Sequence, residues 1–334
     1  MKKILLSHGS GGKLTYRLIN EIFMKYFKNE YLEKLDDSSL LKIKQNNICF
    51  TTDSYTVEPI FFPGGDIGKL AICGTVNDLS VNGAKPLFFS SSFIIEEGLD
   101  FNILEKIVKS MAKILKEEKI KIVTGDTKVV ERGKVDKIFI NTSGIGVKDK
   151  RMKLGIERIK KGDVVIINGY IGQHGLSIIS KRKGLEFESE ISSDCTALYS
   201  LIKELFKFGD KIKFMRDPTR GGLAATLNEI VLNSDFGIKI YQEKIPVSED
   251  VASLCEILGF DPLYIANEGK VVVIADRKYG EKIVEVMRKH KYGRKAEIIG
   301  EVTDKVKGKV VMETEIGAER IVEFPSGEQF PRIC

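Results

Sequence analysis

The sequence predicts a two-domain α/β protein with mixed sheets. Three observations carry that reading. Apolar residues recur at helical spacing in several long stretches, short strand-like apolar runs alternate with them, and an irregular charged stretch divides the pattern into two sets. At 334 residues the chain is long enough for two cores.

The first helix is expected over 13–28, where Leu14, Leu18, Ile22 and Tyr26 recur at four, flanked by Ile19, Phe23 and Phe27. A short strand follows from Ile48 to Thr52, then a helix over 66–83 and an apolar strand from Leu87 to Ile95. A strong helix over 101–118 places Leu104, Ile107, Val108, Met111, Ile114 and Leu115 on one face. Strands from Ile120 to Thr124 and Ile138 to Val147 complete a first domain, 1–150. The boundary lies near 148–162. The second domain, 151–324, opens on a strand from Asp163 to Asn168. Its helices are expected near 174–183, 196–208, 220–233, 248–258 and 278–290, and its further strands near 236–242, 270–275, 296–302, 309–314 and 319–324. The remainder, 325–334, is a mobile tail. Pro325, Gly327 and Pro331 there oppose both helix and strand.

Bulk properties exclude several classes. A hydrophobic content of 43% and a charged content of 30% are those of an ordinary soluble globular protein. No apolar run approaches membrane-spanning length, and the opening Met-Lys-Lys-Ile-Leu-Leu-Ser-His is too briefly apolar for a signal peptide. The net charge of +6, from 53 basic and 47 acidic residues, is dispersed among alternating lysines and glutamates and not gathered in a stripe, which argues against nucleic-acid binding. Cysteines 49, 73, 195, 255 and 334 form no CxxC pair, so a disulfide framework or zinc site is not indicated and a reducing cytoplasm is expected.

The chain ends on a thiol. Extended at about 3.1 Å per residue, eight or nine tail residues would carry the Cys334 sulfur roughly 25–28 Å, the reach of a swinging covalent carrier. A terminal cysteine can equally be incidental, because chain ends tolerate change. Aspartates sit where expected elements end: Asp37, Asp53, Asp126, and Asp217 just before a helix. Asp78 lies on a mostly apolar helix. Singly, each suits a turn or cap; together, beside Gly and Thr, they suit magnesium and a nucleotide. Two glycine-rich segments offer phosphate cradles. One is Ser7-His8-Gly9-Ser10-Gly11-Gly12-Lys13; the other is Arg220-Gly221-Gly222 at a helix N-terminus. Neither has Walker A or GxGxxG spacing. Glu268 and Lys128 are candidate acid–base groups, although either alone would read as surface charge. His174 opens a helix and reads as a cap-region residue; with three histidines in all, neither a Ser-His-Asp triad nor zinc chemistry is supported.

Taken together and in order, these segments resemble the HypE family of hydrogenase maturation proteins. That family lies within the ATP-binding superfamily of aminoimidazole ribonucleotide synthetase, selenophosphate synthetase and thiamine-monophosphate kinase. The superfamily marks are Asp37-Ser38-Ser39, Thr51-Thr52-Asp53, Asn77-Asp78-Leu79 and Asp217-Pro218-Thr219-Arg220-Gly221-Gly222-Leu223. The HypE-like marks are Ser7 to Lys13, Gly125-Asp126-Thr127-Lys128, Asn267-Glu268-Gly269-Lys270 and the ending Pro331-Arg332-Ile333-Cys334. Ser38-Ser39 departs from the usual Ala- or Gly-containing form, which weakens Asp37 as a ligand. The absence of cysteine from Ser7 to Lys13 counts against a selenophosphate synthetase.

The resemblance implies a two-domain aminoimidazole ribonucleotide synthetase-like fold and a homodimer with ATP and Mg2+ near its interface. It implies that Gly9 to Lys13, Asp126, Thr127, Arg220 and Gly221 bind nucleotide, while Asp37, Asp53, Asp78 and Asp217 hold metal. It also implies the reaction: the carbamoyltransferase HypF loads Cys334, ATP-dependent dehydration makes a thiocyanate, and cyanide passes to iron on the HypC–HypD complex. Glu268 would act as base, with a pKa raised by burial, and Lys128 would stabilise charge or relay a proton. The alternatives are another amide-activating or phosphotransferring member of the superfamily, and a non-enzymatic thiol-bearing scaffold.

Overall fold

The architecture was analysed in a computed structural model that describes residues 3–8, 12–34, 41, 43, 47–182, 191–325 and 333. Gly9, Ser10, Gly11, Asp37 and Cys334 lie outside the described residues, as do the side chains of Gly12 and Lys13.

The expected first helix runs as α1 (Gly12–Leu18), a π-helical turn (Ile19–Phe23) and α2 (Met24–Phe27). It leads to strand β1 (Ile48–Tyr55), the small β2–β3 hairpin (Phe61–Phe62 and Gly65–Asp66) and helix α3 (Ile67–Val81). Strand β4 (Ala84–Glu96), helix α4 (Phe101–Glu118), β5 (Lys121–Val130) and β6 (Ile138–Lys148) follow. The sheet order is β1-β6-β4-β5, with β4 and β5 parallel and the other pairs antiparallel.

Helix α4 is amphipathic as its sequence demands. Its apolar stripe is buried, Asp100 caps its first turn through Asn102 N at 2.9 Å, and Lys119 ends it at φ 59°. Helix α3 is apolar nearly all round, and nearly all of it is buried. It packs on β1, β4 and β6, on α4, and on elements of the second domain.

The second sheet has seven strands, ordered β13-β12-β9-β11-β7-β10-β8. They are β7 (Val164–Ile167), β8 (Ile212–Arg216), β9 (Gly237–Tyr241), β10 (Val272–Ala275), β11 (Glu297–Thr303), β12 (Val310–Glu313) and β13 (Glu319–Ile321). Every residue of the interior strands β7 and β10 is buried, which explains their continuous Val/Ile runs. Around the sheet lie α5 (Gln173–Arg182), α6 (Tyr199–Leu205), α7 (Gly222–Val231), α8 (Glu249–Leu258) and α9 (Gly280–Arg288).

Two expectations need correction. Asp53 and Asp126 lie inside β1 and β5, not at their ends, because strand pairing continues past the apolar residues that marked each strand. Edge strand β8 was not anticipated: its five residues follow a 3-10 segment, Phe206–Lys211, that reads as helix. This strand delivers Arg216 and Asp217 to the junction of the two halves. One apolar cluster crosses that junction, joining Phe62, Cys73 and Leu79 to Leu176, Cys195, Ile265 and Ile333.

Candidate active site

Strand β1, helix α3, the segment after β8 and the loop before β10 converge on one cavity of about 740 Å³. Asp53, Asp78, Asp217, Arg220 and Glu268 all line it. Asp78 accepts a hydrogen bond from Thr51 Oγ1 at 2.7 Å, across from α3 to β1. Burial raises its pKa, that bond opposes the rise, and nearby Asp53 adds to it. Asp217 is pushed up to about 7 by burial and then by the like charge of Asp78. Glu268 is 3% exposed, and burial lifts it well above the ordinary glutamate range, with Cys195, Asp217 and Asp194 contributing.

Glu268 sits on a rigid platform. Asp194 accepts from the amides of Glu268 (3.1 Å) and Gly269 (3.2 Å) and pairs with Lys270 Nζ at 2.7 Å. The Asn77 side-chain amide donates to the Glu268 carbonyl at 3.2 Å and its oxygen accepts from Leu198 N at 2.8 Å. Asn168 donates to the Gly269 carbonyl and accepts from Val271 N, while Asn267 accepts from Gly172 N and donates to the Pro218 carbonyl.

Close packing shapes the rest of the wall. Gly74 makes room for Tyr55, whose Oη would lie 2.2 Å from a Cβ there. Gly221 and Gly222, at φ 72° and 62°, turn the chain into α7. A Cβ on Gly222 would lie 2.5 Å from the Ile265 carbonyl oxygen, so close backbone packing alone accounts for that glycine.

Asp126, Thr127 and Lys128 do not reach this cavity within one chain. They sit on β5, the opposite edge of the four-stranded sheet from β1. Three strand spacings separate the two edges, roughly 14 Å. Asp126 and Lys128 form an exposed ion pair at 3.1 Å. Asp126 and Thr127 instead line a second cleft of about 440 Å³ with Thr15, Tyr16, Ile19 and Phe23 from the helix that follows the first glycine-rich segment.

The sequence pattern assigned no role to Asp194, nor to Lys270 and Asn77 within their motifs, nor any partners to His174. Lys270 did carry a signal, because it opens the wholly apolar run Val271-Val272-Val273-Ile274-Ala275; so did Asn77, a polar residue amid the apolar residues of α3. His174 does lie in the first turn of α5, as its sequence suggests, but it is also fully buried and bonded through both ring nitrogens. Its Nδ1 lies 2.7 Å from Ser193 Oγ and its Nε2 lies 3.0 Å from the carbonyl oxygen of Ile333.

Among the described residues no thiol is exposed: Cys73, Cys195 and Cys255 are buried and Cys49 is half-buried. Contact with Cys73 and burial raise Cys195 well above the usual thiol range, and burial pushes Cys255 up to about 11. Such neutral, enclosed thiols are inert. No helix among the described residues is long and apolar enough to cross a membrane.

Comparison with known proteins follows the same outline. The AIR synthase related protein N-terminal domain family matches residues 35–148, and the corresponding C-terminal domain family matches 160–313. The carbamoyl dehydratase HypE of Bradyrhizobium diazoefficiens is 49% identical over 330 residues, covering 98% of this chain and 95% of that protein. A crystal structure of hydrogenase maturation protein HypE in complex with ATP is similar at a TM-score of 0.95 and 46% identity, covering 99% of this chain and all of the other. A HypE–HypF complex contains a chain 55% identical at a TM-score of 0.82, covering 92% of this chain and 99% of that one. By whole-length identity, paired domain matches and shared fold, this chain belongs to the HypE family of carbamoyl dehydratases, built on the aminoimidazole ribonucleotide synthetase fold.

Proposed function

We propose that this chain uses ATP to dehydrate an S-carboxamide on its own Cys334 to a thiocyanate, the source of the cyanide ligand for nickel–iron hydrogenase. The observation that carries the reading is the gathering of Glu268, Asp217, Asp78 and Asp53 in one cavity with Arg220. The burial of Cys73, Cys195 and Cys255 and the half-burial of Cys49 favour Cys334 as the thiol that carries a substrate, in keeping with a reducing cytoplasm.

The chemistry makes use of these residues. An amide oxygen is a poor leaving group; transfer of the γ-phosphoryl group of ATP to it creates a good one. The oxygen departs with phosphate, the carbon–nitrogen bond becomes triple, and both nitrogen protons must be removed. Glu268 is the base. Its buried carboxylate, once ionised, holds a proton more strongly than an exposed glutamate would. The Asp194–Lys270–Asn77 platform fixes its backbone so that the carboxylate does not reorganise during the step.

Magnesium fits the donor set. Asp53, Asp78 and Asp217 offer hard oxygens, and like charge among them leaves an excess that a cation would relieve. Among the described residues no group is close enough to cage a metal with protein atoms alone. Water and the phosphates of ATP would have to complete the shell of a bound magnesium ion. When bound with ATP, it would neutralise charge on the phosphoryl group being transferred.

The functional unit is a homodimer, served by HypF as carbamoyl donor and by HypC–HypD as the iron-bearing acceptor. The dimer is favoured by the open sheet, on which Ile48 and Phe50 are 50% and 68% exposed. It is favoured too by the separation of Lys128 from Glu268, which a second copy would bridge. Asp126, Thr127 and Lys128 of one copy then serve the Glu268 cavity of the other.

Intact mass spectrometry tests the reaction. Full-length protein carbamoylated by HypF is expected to lose the mass of one water on addition of magnesium and ATP; retention of the carbamoyl mass would overturn the assignment. Mixing Lys128→Ala with Glu268→Gln protein tests the shared site. Mixed dimers should regain turnover at one of their two sites, whereas no recovery would place both residues in one chain's site.

A further inference from the structure

The penultimate residue is held where nothing in the reaction requires a hydrophobic side chain. Ile333 is 3% exposed and belongs to the apolar cluster that also contains Phe62, Leu176 and Ile191. Its carbonyl oxygen can only accept, so His174 Nε2 donates to it at 3.0 Å. His174 Nδ1 is then the acceptor for the Ser193 hydroxyl at 2.7 Å, and Ser193 Oγ accepts from Cys195 N at 3.1 Å. Both ring nitrogens are thus committed in one neutral tautomer. The Phe62 ring packs edge-on to the imidazole at 5.5 Å, and Ser193 N donates to the Pro63 carbonyl at 2.8 Å, so the first domain braces the arrangement. The residue after Ser193 is Asp194, which holds the Glu268 and Gly269 amides.

We propose that His174, together with the apolar recess that receives Ile333, is the latch for the docked tail. It engages the side chain and the carbonyl of Ile333, the residue before Cys334 in sequence, and its role would be to hold the substrate-bearing end for reaction with Glu268. His174 is a positioning residue; it acts through Ile333 and not on the reacting atoms. The latch rests on the reading that Cys334 carries the substrate. It gives the isoleucine a task distinct from that of the cysteine: its burial favours the docked tail, and its release is needed for carbamoyl loading.

The test compares Ile333→Ala and His174→Ala with the conservative Ile333→Val and His174→Gln, the last keeping a donor near the Nε2 position. Two rates are measured on full-length protein: iodoacetamide alkylation of Cys334, located by peptide mass spectrometry, and single-turnover thiocyanate formation after carbamoylation. Ile333→Ala and His174→Ala should speed alkylation and slow turnover, each by about tenfold, the scale expected for losing one well-buried contact. The conservative pair should stay within roughly threefold of the parent. ATP binding should be unchanged in all four.

Unchanged alkylation in Ile333→Ala would overturn the latch, and faster alkylation with unaltered turnover would overturn its positioning role. The Ile333 variants and the conservative His174→Gln keep the test decisive even if His174→Ala folds poorly. If the carbamoylated parent protein makes no thiocyanate, the dehydratase reading falls, while the alkylation comparison still decides the latch.

Discussion

Two groups of buried carboxylates lie side by side in this molecule and have opposite characters. The Asp194 side chain is 3% exposed, and Asp217 is partly buried. Burial alone would raise Asp194, but the charge and hydrogen bond of Lys270 outweigh it and hold the carboxylate below its usual range. Burial and then the like charges of Asp78 and Asp53 raise Asp217 to about 7, a rise that Arg216 opposes only in part. Glu268 is also raised well above its ordinary range, chiefly by burial, although its backbone is bonded to Asp194. Where every donor and acceptor is matched, the residues form a scaffold. Where like charges outweigh the counter-charge beside them, as they do around Asp217 despite Arg216, the site favours a ligand that brings more.

The largest expected effect is on the unmatched side. Glu268→Gln removes the base but preserves shape and hydrogen bonding, so single-turnover thiocyanate formation should fall by about 10²–10⁴-fold with ATP binding intact. Full activity in that variant would leave the cavity without its proposed chemistry. The next effect is on the matched side. Lys270→Met strands Asp194 as an unpaired buried charge and should cost about 3–5 kcal/mol, measured by denaturant unfolding. A loss under 1 kcal/mol would show that the scaffold tolerates an unmatched charge as well as the cavity does.

The third effect is smaller and changes with pH. Because the folded pKa of Asp217 lies above its ordinary value, the native state binds more protons than the unfolded one. Its contribution to stability is fully present below about pH 4 and is lost as pH rises through about 7. Without nucleotide or divalent cation, Asp217→Asn should match the parent near pH 4. It should exceed the parent at pH 8 by up to about 3 kcal/mol. Thermal unfolding at the two pH values checks this, and a gap independent of pH would mean that Asp217 is not held at elevated pKa.

Much of the fold was legible wherever local pattern and final burial agree. The α4 stripe foretold both ends of that helix, because amphipathic spacing, an Asp cap and a left-handed Lys119 all act within a few residues. Strand β8 was not legible, since its short Ile-Lys-Phe-Met-Arg run follows a helix-like segment and pairs only with β10, nearly sixty residues later. The same distinction holds in the site. Asp53, Asp78, Asp217 and Glu268 could be named from local motifs. Asp194 and His174 could not, because their roles depend on Lys270 and on Ile333, far along the chain.

The sequence by itself carried the α/β class, the candidate carboxylates with Glu268 among them, and the candidate thiol of Cys334, since each is written in short-range pattern or motif. Only the tertiary structure decided which carboxylates share a cavity, that Lys128 sits on the far edge of the sheet, and that Ile333 is held by His174. Those facts follow from strand order and burial. Desolvation and like charge act through space between residues that the chain brings together only once it has folded.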